Sequence, residues 1–214
     1  MDVVLDNLDA YLEAMRTTAV LTVVSFAAAM VIGVVIATFR VSPVPPLRLA
    51  GTVWVEALRN TPLAVLFLLF FFGLPKIGIL YSPLVSSLVI LSVYTSTYVA
   101  ETVRAGINSV SRGQAEAARS LGLTFPQVLA RIVMPQALRT VVAPLGSVFI
   151  ALIKNSGIAS TIAVLDLTGT ARRLSEITAR PLAIFAGAAV AYLILALPAG
   201  WAVGALERRV AIKR

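Results

Sequence analysis

The sequence predicts an all-α membrane protein, a bundle of about five transmembrane helices. Three observations predict it. Of 214 residues, 59% are hydrophobic and 13% charged, with a mean hydropathy of +0.93. A soluble domain of this size carries about a quarter charged residues. The apolar residues also gather into stretches close to the roughly 20 residues that a helix needs to cross a bilayer. Finally, the charges sit at the ends of these stretches rather than along one stripe. A single transmembrane domain covering residues 1–214 is the economical reading.

Taken in order, the first apolar stretch is 17–39. The second, 53–74, carries Glu56 and Arg59 near its start and ends in the run Phe67-Leu68-Leu69-Phe70-Phe71-Phe72. The third, 83–103, is rich in Ser, Thr and Tyr. A polar segment, 111–135, separates it from the fourth stretch, 136–153. The fifth, 182–206, contains Gly200 and Gly204 in a GxxxG pattern, read as a helix-packing contact.

Composition also removes function classes. The chain has no cysteine and no histidine. Disulfides, thiolate chemistry and the usual zinc or haem ligand sets are excluded, and neither a metal nor a cofactor is expected on this chain. Neither H-E-x-x-H nor G-x-S-x-G occurs, which leaves an intramembrane enzyme few catalytic options. There is also no G-x-x-x-x-G-K-[ST] phosphate loop, so the chain is not expected to bind ATP alone. Asp2, Asp6, Asp9 and Glu13 make the N-terminus acidic where a signal peptide needs a basic region, and no cleaved leader is expected.

The net charge of +8 is explained by the membrane rather than by nucleic acid. Five spans put the termini on opposite sides. One side receives Arg40, Arg48 and Arg59, then Arg104, Arg112, Arg119, Arg131 and Arg139, then Arg208, Arg209, Lys213 and Arg214. The other receives Arg16, Lys76, Lys154, Arg172, Arg173 and Arg180. The richer side is expected to be cytoplasmic, which places the N-terminus outside and segment 111–135 and the C-terminus inside.

Segment 111–135 reads as two short helices around a glycine turn. Ser111 with Gln114 forms a capping-box pattern that would start a helix at Arg112. Ala115, Glu116, Ala117, Ala118 and Leu121 favour the helix, and Gly122 would end it in a left-handed cap. Thr124 and Gln127 repeat the capping pattern, Pro126 fits a first turn, and Pro135 would break or kink the second helix. Small alanines would let a partner approach closely, with Arg112, Glu116 and Arg119 orienting it. An ordinary amphipathic connection fits the same residues.

The residues Glu116-Ala117-Ala118, Gly122 and Ile132-Val133-Met134-Pro135 resemble the EAA motif of ABC-importer permease subunits, with Met134 where leucine is usual. Arg59-Asn60-Thr61-Pro62-Leu63, 98–107, Gly113-Gln114 and 134–138 resemble the polar amino-acid branch of that family. The resemblance implies a type I importer-like permease fold with a cytoplasmic coupling helix in a bacterial cell membrane. It also implies a set of partners: a second permease subunit (the same or a related chain), two ATPase subunits that hold ATP and magnesium, and an external solute-binding protein. The helix around Glu116 to Leu121 would seat in the ATPase, with Gly122 as the turn at the end of the lever. Asn155-Ser156-Gly157-Ile158 looks more like glutamate or aspartate permeases than arginine or histidine ones. Lys154-Asn155-Ser156 resembles a family segment that usually continues Ser-Leu, where this chain has Gly157-Ile158. An autonomous ion-coupled transporter or channel is the competing class, but usually needs more spans and internal repeats.

Several polar residues within the apolar stretches are candidates for the substrate pathway. Thr61-Pro62 frees a backbone carbonyl inside the second stretch, a feature that often lines transporter pathways. Tyr94, Thr95, Ser96 and Thr97 could contact substrate or serve as inter-helix hydrogen-bond glue. Lys154, Asn155 and Ser156 end the fourth stretch, and Lys154 could meet an anionic substrate or reach the interface. Asp166 could face a cavity or cap a helix at the outer surface, with the cap the favoured reading. Glu56 with Arg59, and Glu101 with Arg104, are each spaced for a local ion pair.

Overall fold

The computed structural model describes residues 2–210, without the side chains of Asp2, Arg112, Ala115, Phe125, Pro126 and Leu129. Among the described residues the chain is helical throughout, with ten α-helices and three short 3-10 or π turns. A four-residue helix, α1 (Asp2–Leu5), precedes α2 (Leu8–Val41), which at 1.5 Å per residue is about 50 Å long and outreaches the bilayer core. The broken pair α3 (Pro45–Arg59) and α4 (Leu63–Gly73) follows, and then α5 (Pro83–Asn108). Next come α6 (Arg112–Ser120), α7 (Phe125–Val128), a π turn at Leu129–Val133 and α8 (Met134–Asn155). A 3-10 turn, Ser156–Ile162, leads to α9 (Leu167–Thr178) and finally to α10 (Pro181–Val210).

Four helical segments are long and apolar enough to cross a membrane, and the α3–α4 pair makes a fifth crossing if counted as one broken span. The expected five-span bundle stands, but the second stretch is not one helix. Its halves are bent by 99° at 60–62. Pro62 lacks the N–H that would continue the ladder, and the residue before a proline is pushed out of helical geometry. The Leu58 carbonyl that Pro62 leaves accepts from the Thr61 N–H at 3.3 Å, and the Thr61 hydroxyl donates to the Ala57 carbonyl at 2.8 Å.

The packing is inverted relative to a soluble protein. On α2 the buried positions Ala14, Thr18, Leu21, Thr22, Ser25, Ala29, Gly33 and Ala37 form a stripe of mostly small residues with a spacing of three or four. Val23, Val24, Val31 and Val35 face outward. Lipid is as apolar as valine, so burial of bulk gives little; close approach of small residues gives the contact. This stripe meets α5 along the longest seam of the bundle. There the Ser25 hydroxyl donates to the Leu88 carbonyl at 3.3 Å. Phe67 of α4 joins Leu21, Leu91, Leu152 and Ile162 in the largest apolar cluster.

One packing expectation is corrected. The tight α8–α10 crossing is made by Gly146, where a Cβ would lie 2.1 Å from Val203 Cγ1, and not by the GxxxG pair. Gly200 meets only an ordinary contact with Ile150, at 3.8 Å. Pro135 does not separate the second helix from the span, and the irregularity that accommodates it lies just before it. The π turn Leu129–Val133 runs directly into α8, and its wider backbone spacing gives the proline ring room at the start of that helix.

Candidate functional site

The segment between α5 and α8 takes the predicted helix-turn-helix form. Leu121 caps α6, and Gly122 follows with φ +86, a conformation that side chains with a Cβ rarely adopt. The Gly122 N–H donates to the Arg119 carbonyl at 2.9 Å and the Leu123 N–H to the Ala118 carbonyl at 3.2 Å. Those two bonds make a Schellman cap, which closes the helix in one residue and reverses the chain sharply.

The start of α6 differs from the expected capping box. The Ser111 side chain makes no cap bond, and Gln114 instead accepts from Gln136 Nε2 at 2.7 Å. That bond ties α6 to the beginning of α8. At the second pattern half of the box forms: Gln127 Oε1 accepts from the Thr124 N–H at 2.9 Å. Of the candidate docking residues, Ala118 is buried within the chain on the side where α6 packs on α7 and the π turn. Glu116, Ala117, Arg119 and Gly122 are exposed. Leu121 is 82% exposed, an apolar side chain standing alone on a charged surface. The Arg112 side chain lies outside the described residues.

A second polar region lies where α2, α3 and α5 converge. Arg40, Glu56, Arg59, Asn60, Tyr98 and Glu101, with Val55, line a cavity of about 290 Å³. Glu101 bonds Arg104, as its spacing predicts, and also Arg40, 61 residues away on α2. Glu56 and Arg59 do not pair: no Arg59 nitrogen comes within 4.0 Å of the Glu56 carboxylate. Arg59 instead lies over the Tyr98 ring, 5.0 Å from its centroid, while the Tyr98 and Tyr94 hydroxyls share a hydrogen bond of 2.9 Å.

The hydroxyls of α5 mostly serve the fold. Thr97 donates to the Tyr94 carbonyl at 2.7 Å, and Ser96 to the Val93 carbonyl at 2.6 Å while accepting from Trp54 Nε1 at 3.3 Å. Thr95 and Thr97 are buried, and Tyr94 is half-buried. Thr61 is half-buried with its hydroxyl on α3.

The third polar region is in the connection between the fourth and fifth spans. Asp166 caps α9 by accepting from the Gly169 N–H at 2.9 Å, as the favoured reading had it. It is not at the surface, however, but fully buried. Its other oxygen accepts from the Tyr192 hydroxyl at 3.2 Å, and that hydroxyl bonds Thr168 Oγ1 at 2.9 Å. Burial raises the Asp166 carboxyl from its ordinary 3.8 to about 6, against the opposing pull of these hydrogen bonds. Gly157 makes room for the group: a Cβ there would stand 2.6 Å from Thr168 Oγ1 and 2.8 Å from the Tyr192 hydroxyl. Ser156 is buried with its hydroxyl on the Ile153 carbonyl, Asn155 is half-buried and Lys154 is exposed.

With these regions in place, the relatives become informative. Residues 29–212 match the family described as "Binding-protein-dependent transport system inner membrane component". The chain belongs to that family of membrane components. It is 39% identical over 210 residues to the probable glutamine ABC transporter permease protein GlnM of Bacillus subtilis, covering 98% of this chain and 97% of that one. It is 41% identical over 216 residues to the glutamate transport system permease protein GluC of Corynebacterium glutamicum, covering 95% of each. Its fold matches a chain from the crystal structure of an amino acid ABC transporter with histidines, with a TM-score of 0.91, 32% identity and 96% coverage of both chains. The resemblance read from the EAA segment is borne out.

Proposed function

We propose that the chain is the membrane-spanning subunit of an ATP-driven importer for a polar amino acid, with glutamate or aspartate as the first candidates. The substrate enters from an extracytoplasmic binding protein, passes between this chain and a second permease subunit, and leaves in the cytoplasm. A separate ATPase holds ATP and magnesium. The N-terminus is outside, and α6 and the C-terminus are cytoplasmic; Lys213 and Arg214, counted toward that orientation, lie outside the described residues.

The observation that carries this reading is the surface of α6. Glu116, Ala117, Arg119 and Leu121 project from a helix closed by a Schellman cap and anchored to α8 through Gln114 and Gln136. Such an element moves as one piece with α8, as a lever needs. The relatives, a probable glutamine and a glutamate permease, support a polar amino acid as cargo.

Reconstitution tests the proposal. Proteoliposomes holding this chain, its ATPase and its binding protein are expected to take up labelled glutamate, aspartate or glutamine only when ATP is supplied. Uptake that persists without ATP and follows an ion gradient would favour an autonomous transporter instead.

A further inference from the structure

We propose that the angle between α3 and α4 holds a resident anionic phospholipid. One acyl chain lies in the groove between the two helices, and the phosphate meets Arg48. This site depends on the bundle lying in a membrane and not on which solute the chain carries.

The two faces of α3 are packed differently. On one, Gly51 and Val55 turn inward: a Cβ on Gly51 would lie 2.8 Å from Arg40 Cγ, and Val55 is buried with Ala37 and Ala100. On the other, Pro46, Leu49, Val53 and Ala57 recur every three or four residues, the spacing of an apolar helix stripe. All four are exposed, Leu49 by 65% and Val53 by 57%. Because α4 departs at 99°, the next helix does not cover this stripe. With Trp54, Phe70 of α4 and Val93 of α5 it forms a groove of about 810 Å³ lined wholly by apolar residues.

Inside a bilayer such a groove is filled by hydrocarbon or by protein, and the charge at its end decides between them. Beyond the end of α2, where the chain leaves the membrane, a second hollow of about 590 Å³ is lined by Pro45, Pro46, Arg48, Leu49 and Thr52. The two spaces share Pro46 and Leu49, so an apolar chain in the groove continues into a polar end beside Arg48. Arg48 is exposed and makes no ion pair among the described residues. Its guanidinium presents a planar fork suited to a phosphate, and Thr52 adds a hydroxyl beside it. The fitting occupant has an anion at one end and hydrocarbon behind it, which is the chemistry of an anionic phospholipid. A second copy of this chain fits less well. On that side of the membrane Glu101 is bound by Arg40 and Arg104, and Glu56 lines the cavity on the inner face of α3. Only Glu116 and Glu207 would remain to meet Arg48. The lipid completes the outer face of α3 and props the angle that Pro62 opens.

The test reads Trp54 in the permease–ATPase complex, held in phosphatidylcholine nanodiscs. A minor fraction of the lipid is replaced by phosphatidylglycerol or phosphatidylcholine with brominated acyl chains, which quench tryptophan on contact. The Trp54 signal is taken as the difference from Trp54→Phe, which removes the contribution of Trp201 and of the ATPase. Brominated phosphatidylglycerol is expected to quench at about one-fifth the concentration that brominated phosphatidylcholine needs, the preference that one basic residue near a headgroup supports. Arg48→Lys should keep most of that preference, and Arg48→Gln should make the two lipids equal. Equal quenching in the wild type would mean ordinary surrounding lipid and would overturn the proposal. Quenching by neither lipid would mean that protein, such as the second permease, covers the groove, and would overturn it too. A preference that survives Arg48→Gln would put the headgroup elsewhere and overturn the role of Arg48.

Discussion

Two polar clusters in this bundle have opposite designs. Around Asp166, every group closes on another: the carboxylate accepts from Gly169 and Tyr192, and Tyr192 bonds Thr168. The cluster is buried, and Gly157 has no side chain because the bonds occupy that space. Around Glu56 and Arg59, one arginine stacks on a ring and one carboxylate has no cation among the described residues, both facing an open cavity. The closed cluster fixes how α9 and α10 pack against the rest. The open one leaves Glu56 and Arg59 facing a cavity instead of each other. In an apolar environment, whether polar groups satisfy one another is therefore a better guide to function than their number.

Substitutions can break or sharpen the contrast. The largest stability effect is expected from Gly157→Val, which drives side-chain atoms into Thr168 and Tyr192. A loss of about 3 kcal/mol should appear as a lower unfolding temperature of the detergent-solubilised protein. Wild-type stability would mean that the closed cluster is looser than described.

A smaller, pH-dependent effect belongs to Asp166. Its carboxyl titrates near 6 in the folded protein against 3.8 ordinarily, so the folded state keeps a proton that the unfolded chain releases in between. The stabilisation linked to that proton is complete below pH 4 and is lost as pH rises through 6. Wild type should therefore melt at a higher temperature at pH 5 than at pH 7.5. Asp166→Asn should flatten this dependence, since asparagine still caps the helix. Two pKa units set a ceiling of about 3 kcal/mol on the effect. A wild-type melting temperature that rises with pH over this range would contradict the assignment.

The smallest stability effect should come from the open cluster. Glu56→Gln removes a charge that takes no ion-pair partner among the described residues, and stability should change by no more than about 0.5 kcal/mol. A loss as large as that of Gly157→Val would erase the distinction between the clusters.

Much of this was legible in the sequence, and the omissions share a cause. Apolar length announced the spans, and Glu116 to Gly122 announced a helix with a glycine cap, because both signals are local. Pro62 signalled a break, but the 99° bend depends on how α4 packs, which no local pattern encodes. The helix Leu167–Thr178 is announced only by its cap, because it is 12 residues long, amphipathic and rich in hydroxyls and arginine and does not resemble a span. Its cap, Asp166 with Gly169 three residues on, was the one available signal. Arg40 could not be joined to Glu101 from spacing, since 61 residues separate them. Glu56 and Arg59 had the right spacing for a pair, yet Tyr98 holds the arginine elsewhere.

The central claim, that α6 docks an ATPase, can be tested with one cross-linking measurement. The chain has no cysteine, so Leu121→Cys creates a single thiol on a side chain that is 82% exposed. In the assembled complex, a short thiol-to-amine cross-linker is expected to join this thiol to the ATPase subunit. Leu80→Cys, equally accessible at 78% but beyond the opposite end of α5, should give no such product. Cross-linking to the ATPase from position 80 and not from 121 would contradict the account.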